Sequence, residues 1–248
     1  MRRSPKSKTV STSNTSIDGL DAPVEVRRHP GARRMTLRVS RTKRAVIVTV
    51  PMSCGLADAG LFLNRHLEWV RDRLGNLPVP VPFEDCMVIP VRGALHRVAF
   101  TGALKPRRLV ELASEGDVLH VHGRLDSAPR HLKAWLFEQA RADLDDRVLF
   151  HAGQLSLRAK RIAIRDQSSR WGSCSTTGVL SFSWRLVLAP PLILDYVAAH
   201  EVAHLAEMNH GSRFWALVRQ TMPRMDEAKL WLSHYGTELH RYGAERAG

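Results

Sequence analysis

The sequence predicts an α+β fold, with a β-rich N-terminal half followed by a helical half built around one short sheet. Three observations carry that expectation. Short β-branched runs, punctuated by Gly and Pro, occupy much of the chain up to about residue 122. From Leu132 onward, apolar residues recur at three- and four-residue spacing over longer stretches. Between those stretches lie two strand-like segments, 161–165 and 178–184.

Residues 1–20 are rich in Ser, Thr and Lys and poor in large apolar side chains, and are expected to form a disordered basic tail. Residues 21–127 are expected to form the β-rich part and residues 128–248 the helical part. In the β-rich part, 35–39 alternates and 45–50 is β-branched and stops at Pro51, with a link short enough for a hairpin. Leu61, Leu63, Leu67, Val70 and Leu74 suggest one amphipathic helix over 56–74, ended by Gly75 and Asn76 and followed by a Pro-rich connector at 78–82. Residues 86–122 read as several short strands.

The second part opens with the longest expected helix, about 132–149, carrying Leu132, Trp135, Leu136, Ala140, Leu144 and Val148. In strand 178–184, Leu180, Phe182 and Trp184 share one face. Pro190 and Pro191 suit the start of a helix, where a missing N–H costs little. Another helix is expected from Ser212 as N-cap, and a third over about 226–240.

At 248 residues, with 44% hydrophobic and 25% charged side chains, the chain has ample material for a packed core. It contains no run of 18 apolar residues, and the basic N-terminus leads into no apolar segment, so neither a membrane span nor a secretory signal is expected. A cytoplasmic location follows as an expectation. Cys54, Cys86 and Cys174 are too few and too scattered for a disulfide framework or a cysteine zinc knuckle. The formal charge of +13 is the compositional anomaly: residues 1–44 hold twelve Lys/Arg against three Asp/Glu. Such an arm suits an anionic partner such as nucleic acid, or serves as a solubilising tail.

Residues 200–204 read His-Glu-Val-Ala-His, an HExxH motif. On a helix the two histidines lie about 40° apart in azimuth and about 6 Å apart along the axis, so both imidazoles can reach one ion. Glu201 then flanks the ion, close enough to handle a water proton without being a ligand. With 12 His and 11 Glu in the chain, chance supplies only about 0.025 such matches. The helical half is therefore expected to be zincin-like, a metallohydrolase unit.

A hydrolytic zinc needs a third protein ligand and one open position. Glu207 would return to within about 20° of the same helix face, but one turn further along, which suits a flanking role. His210 would stand about 80° off and 15 Å along an unbroken helix, so it can reach only if the chain turns first. Met208-Asn209 offers that turn, because Asn tolerates the left-handed conformation, and His210 is preferred. The spacing equals that of the metzincins, HExxHxxGxxH, but Glu207 stands where they have glycine, which argues against that class. His234 and His240 are left out of the ligand set.

Arg170-Trp171-Gly172-Ser173-Cys174-Ser175, Trp184-Arg185-Leu186, Ala189-Pro190-Pro191, Asp195-Tyr196-Val197, the HExxH run, and Asn209 through Trp215 together resemble the YgjP-like family of zinc metallopeptidases. The resemblance covers nearly all of the chain after residue 20. It implies zinc held by His200, His204 and His210, Glu201 as the catalytic carboxylate, and a distant relation to SprT-like proteases. For some members it also implies pyrophosphate release from uridine triphosphate.

On this reading Glu201 acts as general base and then acid, while a nearby cation stabilises the oxyanion. Arg170, Trp171 and Arg185 are the candidate substrate-binding residues, with structural salt bridging or core packing as their alternative roles. Cys174 is expected to be a small packed residue rather than a nucleophile. Three functions compete. A zinc metallopeptidase acting on extended polypeptide comes first, a metal-dependent nucleoside triphosphate pyrophosphatase second, and a nucleic-acid-binding module with a structural zinc third. No P-loop is present for the second, and the third has no use for Glu201.

Overall fold

The alternating and β-branched runs near the N-terminus pair as expected. In the structure, a computed structural model that describes residues 11–15, 17, 19–104, 107–113 and 116–244, β3 (Thr36–Ser40) runs antiparallel to β4 (Ala45–Val50). β2 (Val24–Arg28) lies parallel to β4 on its other side, and β1 (Ser11–Thr15) pairs antiparallel with β2. The sheet order is thus β1-β2-β4-β3.

Ser11–Thr15 belongs to the segment expected to be a structureless tail, and that expectation fails for these five residues. The open edge of β2 supplies the backbone partners that the segment's composition does not predict. Residues 1–10, also assigned to the tail, lie outside the described residues.

Val24, Val26, Val46, Val48 and Val50 form the buried face of this sheet. They pack on Ala59 and Leu63 of α1 (Leu56–Asn64) and Val70 of α2 (Leu67–Gly75). The single helix expected over 56–74 is therefore two. Leu61 and Leu63 stand about 200° apart on a helix and cannot share a face. Leu63 is buried, Leu61 is exposed, and the chain breaks at Arg65 and His66.

The described chain divides into two compact units, one running up to Pro80 and including Ala244, and one spanning Val81–Gly243. The boundary falls within the Pro-rich connector and not at 127/128, where the sequence placed it. Packing explains the difference. Strands β5 (Val88–Val91), β6 (Ala94–Phe100), β7 (Val110–Leu112) and β8 (Val118–Val121) form a sheet of order β5-β6-β8-β7. Their Ile89, Val98, Leu119 and Val121 share one core with Leu132 and Leu136 of α3 (Ala128–Gln154).

On α3 the buried residues Ala128, Leu132, Leu136, Ala140, Leu144, Val148 and Ala152 fall every fourth position. Each step of four advances the stripe by about 40°, so it winds around the helix and meets different neighbours along its length. Near its start, the His131 ring bonds the His122 carbonyl beyond β8. Near its end, Arg147 and His151 grip Asp195 at 2.6 and 2.7 Å.

A third, small sheet of order β10-β11-β9 follows, made of β9 (Arg161–Arg165), β10 (Gly172–Cys174) and β11 (Val179–Ser183). A 3-10 segment, Trp184–Leu188, then leads into α4 (Pro191–Ala203). The turn between β5 and β6 anchors it: Arg92 and Gly93, both with positive φ, donate their N–H groups to Val187 and Leu188. A β-carbon at Gly93 would stand 3.2 Å from Pro190, so the glycine serves both the turn and the close approach. The chain ends in α5 (Ser212–Thr221), α6 (Met225–Tyr235) and a 3-10 segment, Gly236–Arg241. The fold is mixed α+β, as the sequence predicts, although with three sheets among the described residues. No described helix is long and apolar enough to cross a membrane.

Candidate metal centre

α4 is apolar nearly all round and accordingly buried: Ile193, Leu194, Tyr196 to Ala199 and Val202 to Ala203 all lie in the core. Its last turn carries His200 and, at the C-cap, His204, both partly exposed. The helix then ends abruptly. Leu205 and Ala206 bond back three residues, to Val202 and Ala203, tightening the final turn. No left-handed residue is needed at Asn209, contrary to the sequence expectation; the chain reverses over 205–211 and α5 starts from Gly211 as N-cap, one residue before the expected Ser212.

That reversal brings His210 back. Its Nε2 lies 3.1 Å from Nε2 of His200, and the nitrogens that His200, His204 and His210 can offer all fall within 4.8 Å of one another. Two ligands on one tetrahedral zinc stand about 3.4 Å apart, so the spacing suits a shared ion. Phe214, fully buried, packs its ring within 4.4–4.8 Å of all three imidazole centroids, and Trp215 flanks His200 and His210.

The second nitrogens also have partners. His204 Nδ1 sits 3.0 Å from the Glu207 carbonyl oxygen, and His200 Nδ1 lies 3.4 Å from the Tyr196 hydroxyl. Glu207 thus meets the cluster through its backbone; its carboxylate points to Arg213 at 3.7 Å. Burial, with help from the neighbouring imidazoles and Lys229, holds His200 down at about 3. Burial also lowers His204. Both rings are therefore neutral and fit to donate lone pairs at ordinary pH.

Glu201 is 5% exposed, and its Oε2 has no hydrogen-bond partner among the described residues. Burial pushes the carboxyl up to about 8, against the pull of Arg170. A divalent ion held by the adjacent imidazoles would act in the opposite sense and favour the carboxylate. Room for this side chain comes from β10, where a β-carbon on Gly172 would lie 2.5 Å from Glu201 Cγ. The strand beside the acid is therefore β10, an edge strand. Its neighbour β11 is central, hydrogen-bonded on both sides.

Of the three proposed substrate contacts, Arg170 is exposed and close enough to Glu201 to act on its charge. Trp171 stacks on buried His240 at 4.8 Å and lies over Gly236, which accounts for its ring as packing. Arg185 is a correction. It is 1% exposed, ion-paired with Asp166, and donates to the Tyr242 carbonyl at 3.2 Å, so it presents no surface to a substrate. Cys174 is half-buried, and burial together with the Glu201 charge raises its thiol, which argues against a thiolate nucleophile. Sequence reasoning missed Phe214, Tyr196 and Lys229 as neighbours of the cluster. Tyr196, four residues before His200 on a helix, was the one with a readable signal.

No curated protein matches the chain. A solved structure, the metallopeptidase zymogen of Pyrococcus abyssi abylysin, is similar at 20% identity and a TM-score of 0.34, over 37% of this chain and 94% of that one, a likeness too slight to transfer any feature. A family model described as YgjP-like, metallopeptidase domain, matches residues 33–235. With most of its length so matched, and with the HExxH helix and returning histidine inside the matched span, the chain belongs to the YgjP-like metallopeptidase-domain family.

Proposed function

We propose that this chain is a zinc-dependent metallopeptidase that hydrolyses extended polypeptide. The observation that carries the reading is the convergence of three imidazoles beside a buried carboxyl group whose Oε2 has no hydrogen-bond partner among the described residues. His200, His204 and His210 would hold the zinc. When bound, zinc supplies Lewis-acid polarisation of the attacked oxygen and a water whose pKa lies near about 7. Three donors among the described residues leave a coordination position open, whereas a structural zinc prefers four closed ligands.

The protein's own groups do the rest. The His204 Nδ1–H donates to the Glu207 carbonyl and the His200 Nδ1–H to the Tyr196 hydroxyl oxygen, leaving each Nε2 lone pair directed at the cluster. Glu201 takes a proton from the attacking water and returns it to the leaving amine nitrogen. Arg170 offers positive charge beside the acid, where an oxyanion or a substrate carboxylate needs it. The free edge of β10 lets an extended chain add as a further strand, with its backbone drawn past Glu201.

The test offers casein and a panel of nucleoside triphosphates to the zinc-loaded chain and to Glu201→Gln. Casein hydrolysis by the wild type, reduced roughly 10²–10⁴-fold in the variant at unchanged zinc content, is the expected result. Pyrophosphate release without casein cleavage would replace the peptidase reading with the nucleotide one. Equal activity in both proteins would remove Glu201 from the mechanism.

A further inference from the structure

Around the imidazoles and Glu201, the neighbouring acids have arginine partners and two cations have no acid. Glu207 faces Arg213 at 3.7 Å, and Asp226, whose charge reaches Tyr196, pairs with Arg219 at 3.1 Å. Arg170 and Lys229 are exposed and make no ion pair among the described residues. Arg170 lies on the approach to β10, two residues before the glycine that abuts Glu201. Lys229 comes from a different element, α6.

Trp215 fixes the position of Lys229. The lysine Nζ lies 4.4 Å from the indole centroid, and that ring stands 5.9 Å from His200 and 5.7 Å from His210. One indole therefore separates the ammonium from two of the three imidazoles. Contact with the ring face holds the cation electrostatically but takes up no carboxylate, and the ammonium keeps its three donors. Met225 and Ala228 are buried and anchor α6, which leaves Lys229 on its exposed side. The lysine charge also reaches His200, where it acts with burial to keep that ring neutral.

We infer that Lys229, braced on Trp215, is a specificity-determining residue that selects polypeptide substrates carrying a carboxylate beside the scissile bond. The inference rests on the peptidase reading above and names the substrate class for it. A single carboxylate is the anion that suits this arrangement, because a lysine offers one compact charge with rotatable donors. A triphosphate calls for several converging donors, and two unpaired cations on separate elements do not supply them. A basic residue in the same place would meet Lys229 and Arg170 with no intervening acid, so like-charge repulsion selects against it.

The test digests a library of proteome-derived peptides with the zinc-loaded chain and reads the residues flanking each cut by mass spectrometry. Asp and Glu are expected to be enriched about three- to five-fold at one fixed position relative to the cut, with Lys and Arg depleted there. Lys229→Gln should abolish that bias. Lys229→Glu should exchange it for a preference for Lys and Arg, an exchange that loss of packing on Trp215 does not produce. Should Lys229→Glu fail to melt cooperatively, Lys229→Gln carries the comparison. Amidation of the peptide C-termini identifies the source of the carboxylate: selected cuts that vanish assign it to the chain end, and selected cuts that persist assign it to a side chain. A wild type that cuts without the bias, or a bias equal in all three proteins, overturns the inference and leaves the peptidase reading standing. A wild type that cuts no peptide removes the peptidase reading and the inference with it.

Discussion

A β-carbon on residue 172 would lie 2.5 Å from Glu201 Oε1, so the bare glycine of β10 leaves the space that the acid of α4 fills. Gly172→Ala is therefore expected to push the Glu201 side chain or the β10 backbone out of place. Hydrolysis should fall at least about ten-fold and stability by roughly 1–3 kcal/mol, while zinc content stays stoichiometric. Assay, melting curve and metal analysis on one preparation check all three. A fully active alanine variant would mean that the contact does not matter.

The ligand set is tested by a pair of variants. His210→Ala removes an imidazole whose Nε2 stands 3.1 Å from that of His200, and should lose zinc on gel filtration. Glu207→Ala keeps the backbone carbonyl that meets His204 and should retain it. Equal zinc content in the two proteins would reopen the identity of the third ligand.

Tyr196→Phe removes only the hydroxyl facing His200 Nδ1. Groups in that position typically tune metal affinity by about 10–100-fold, so competition with a chelator should show a loss within that range and an intact fold. No change in the competition curve would make Tyr196 a packing residue.

The Asp166–Arg185 pair gives a stability prediction with a defined sign. Burial works to raise the Asp166 carboxyl, but the charges of Arg185 and Lys133 outweigh it and hold the group at about 2, against an ordinary value of 3.8. Because the folded state binds the proton less readily, the pair's contribution is complete above about pH 4 and is lost as pH falls through about 2. Asp166→Asn should flatten that acid limb. At neutral pH it should also destabilise the chain by about 3–5 kcal/mol, since it leaves Arg185 buried without its counter-charge. Denaturant titrations at pH 7, 4 and 2.5 measure both effects.

Local signals were legible where local physics decides the outcome. The β3–β4 hairpin followed from alternation, and α4 and α5 followed from paired prolines and apolar periodicity. The HExxH spacing brought His200, Glu201 and His204 together on paper, and the need for a third donor drew attention to the turn before His210. What stayed hidden depends on partners distant in sequence. Arg185 reads as a free cation until Asp166 and Tyr242 close around it. Gly172 shows its role only once Glu201 is seen against it. The unit boundary moved to Pro80 because the β5–β8 sheet shares its core with α3, a pairing that no window of sequence contains.

The three imidazoles lie within eleven consecutive residues, 200–210. A chelate so local needs little of the fold to form, so the denatured chain is expected to keep part of any grip on the ion. Since stabilisation depends on the difference between native and denatured affinities, saturating zinc should raise the melting temperature by less than its dissociation constant for the native protein alone implies. Heat-unfolded protein should likewise carry bound metal into the unfolded ensemble instead of releasing it all at the transition.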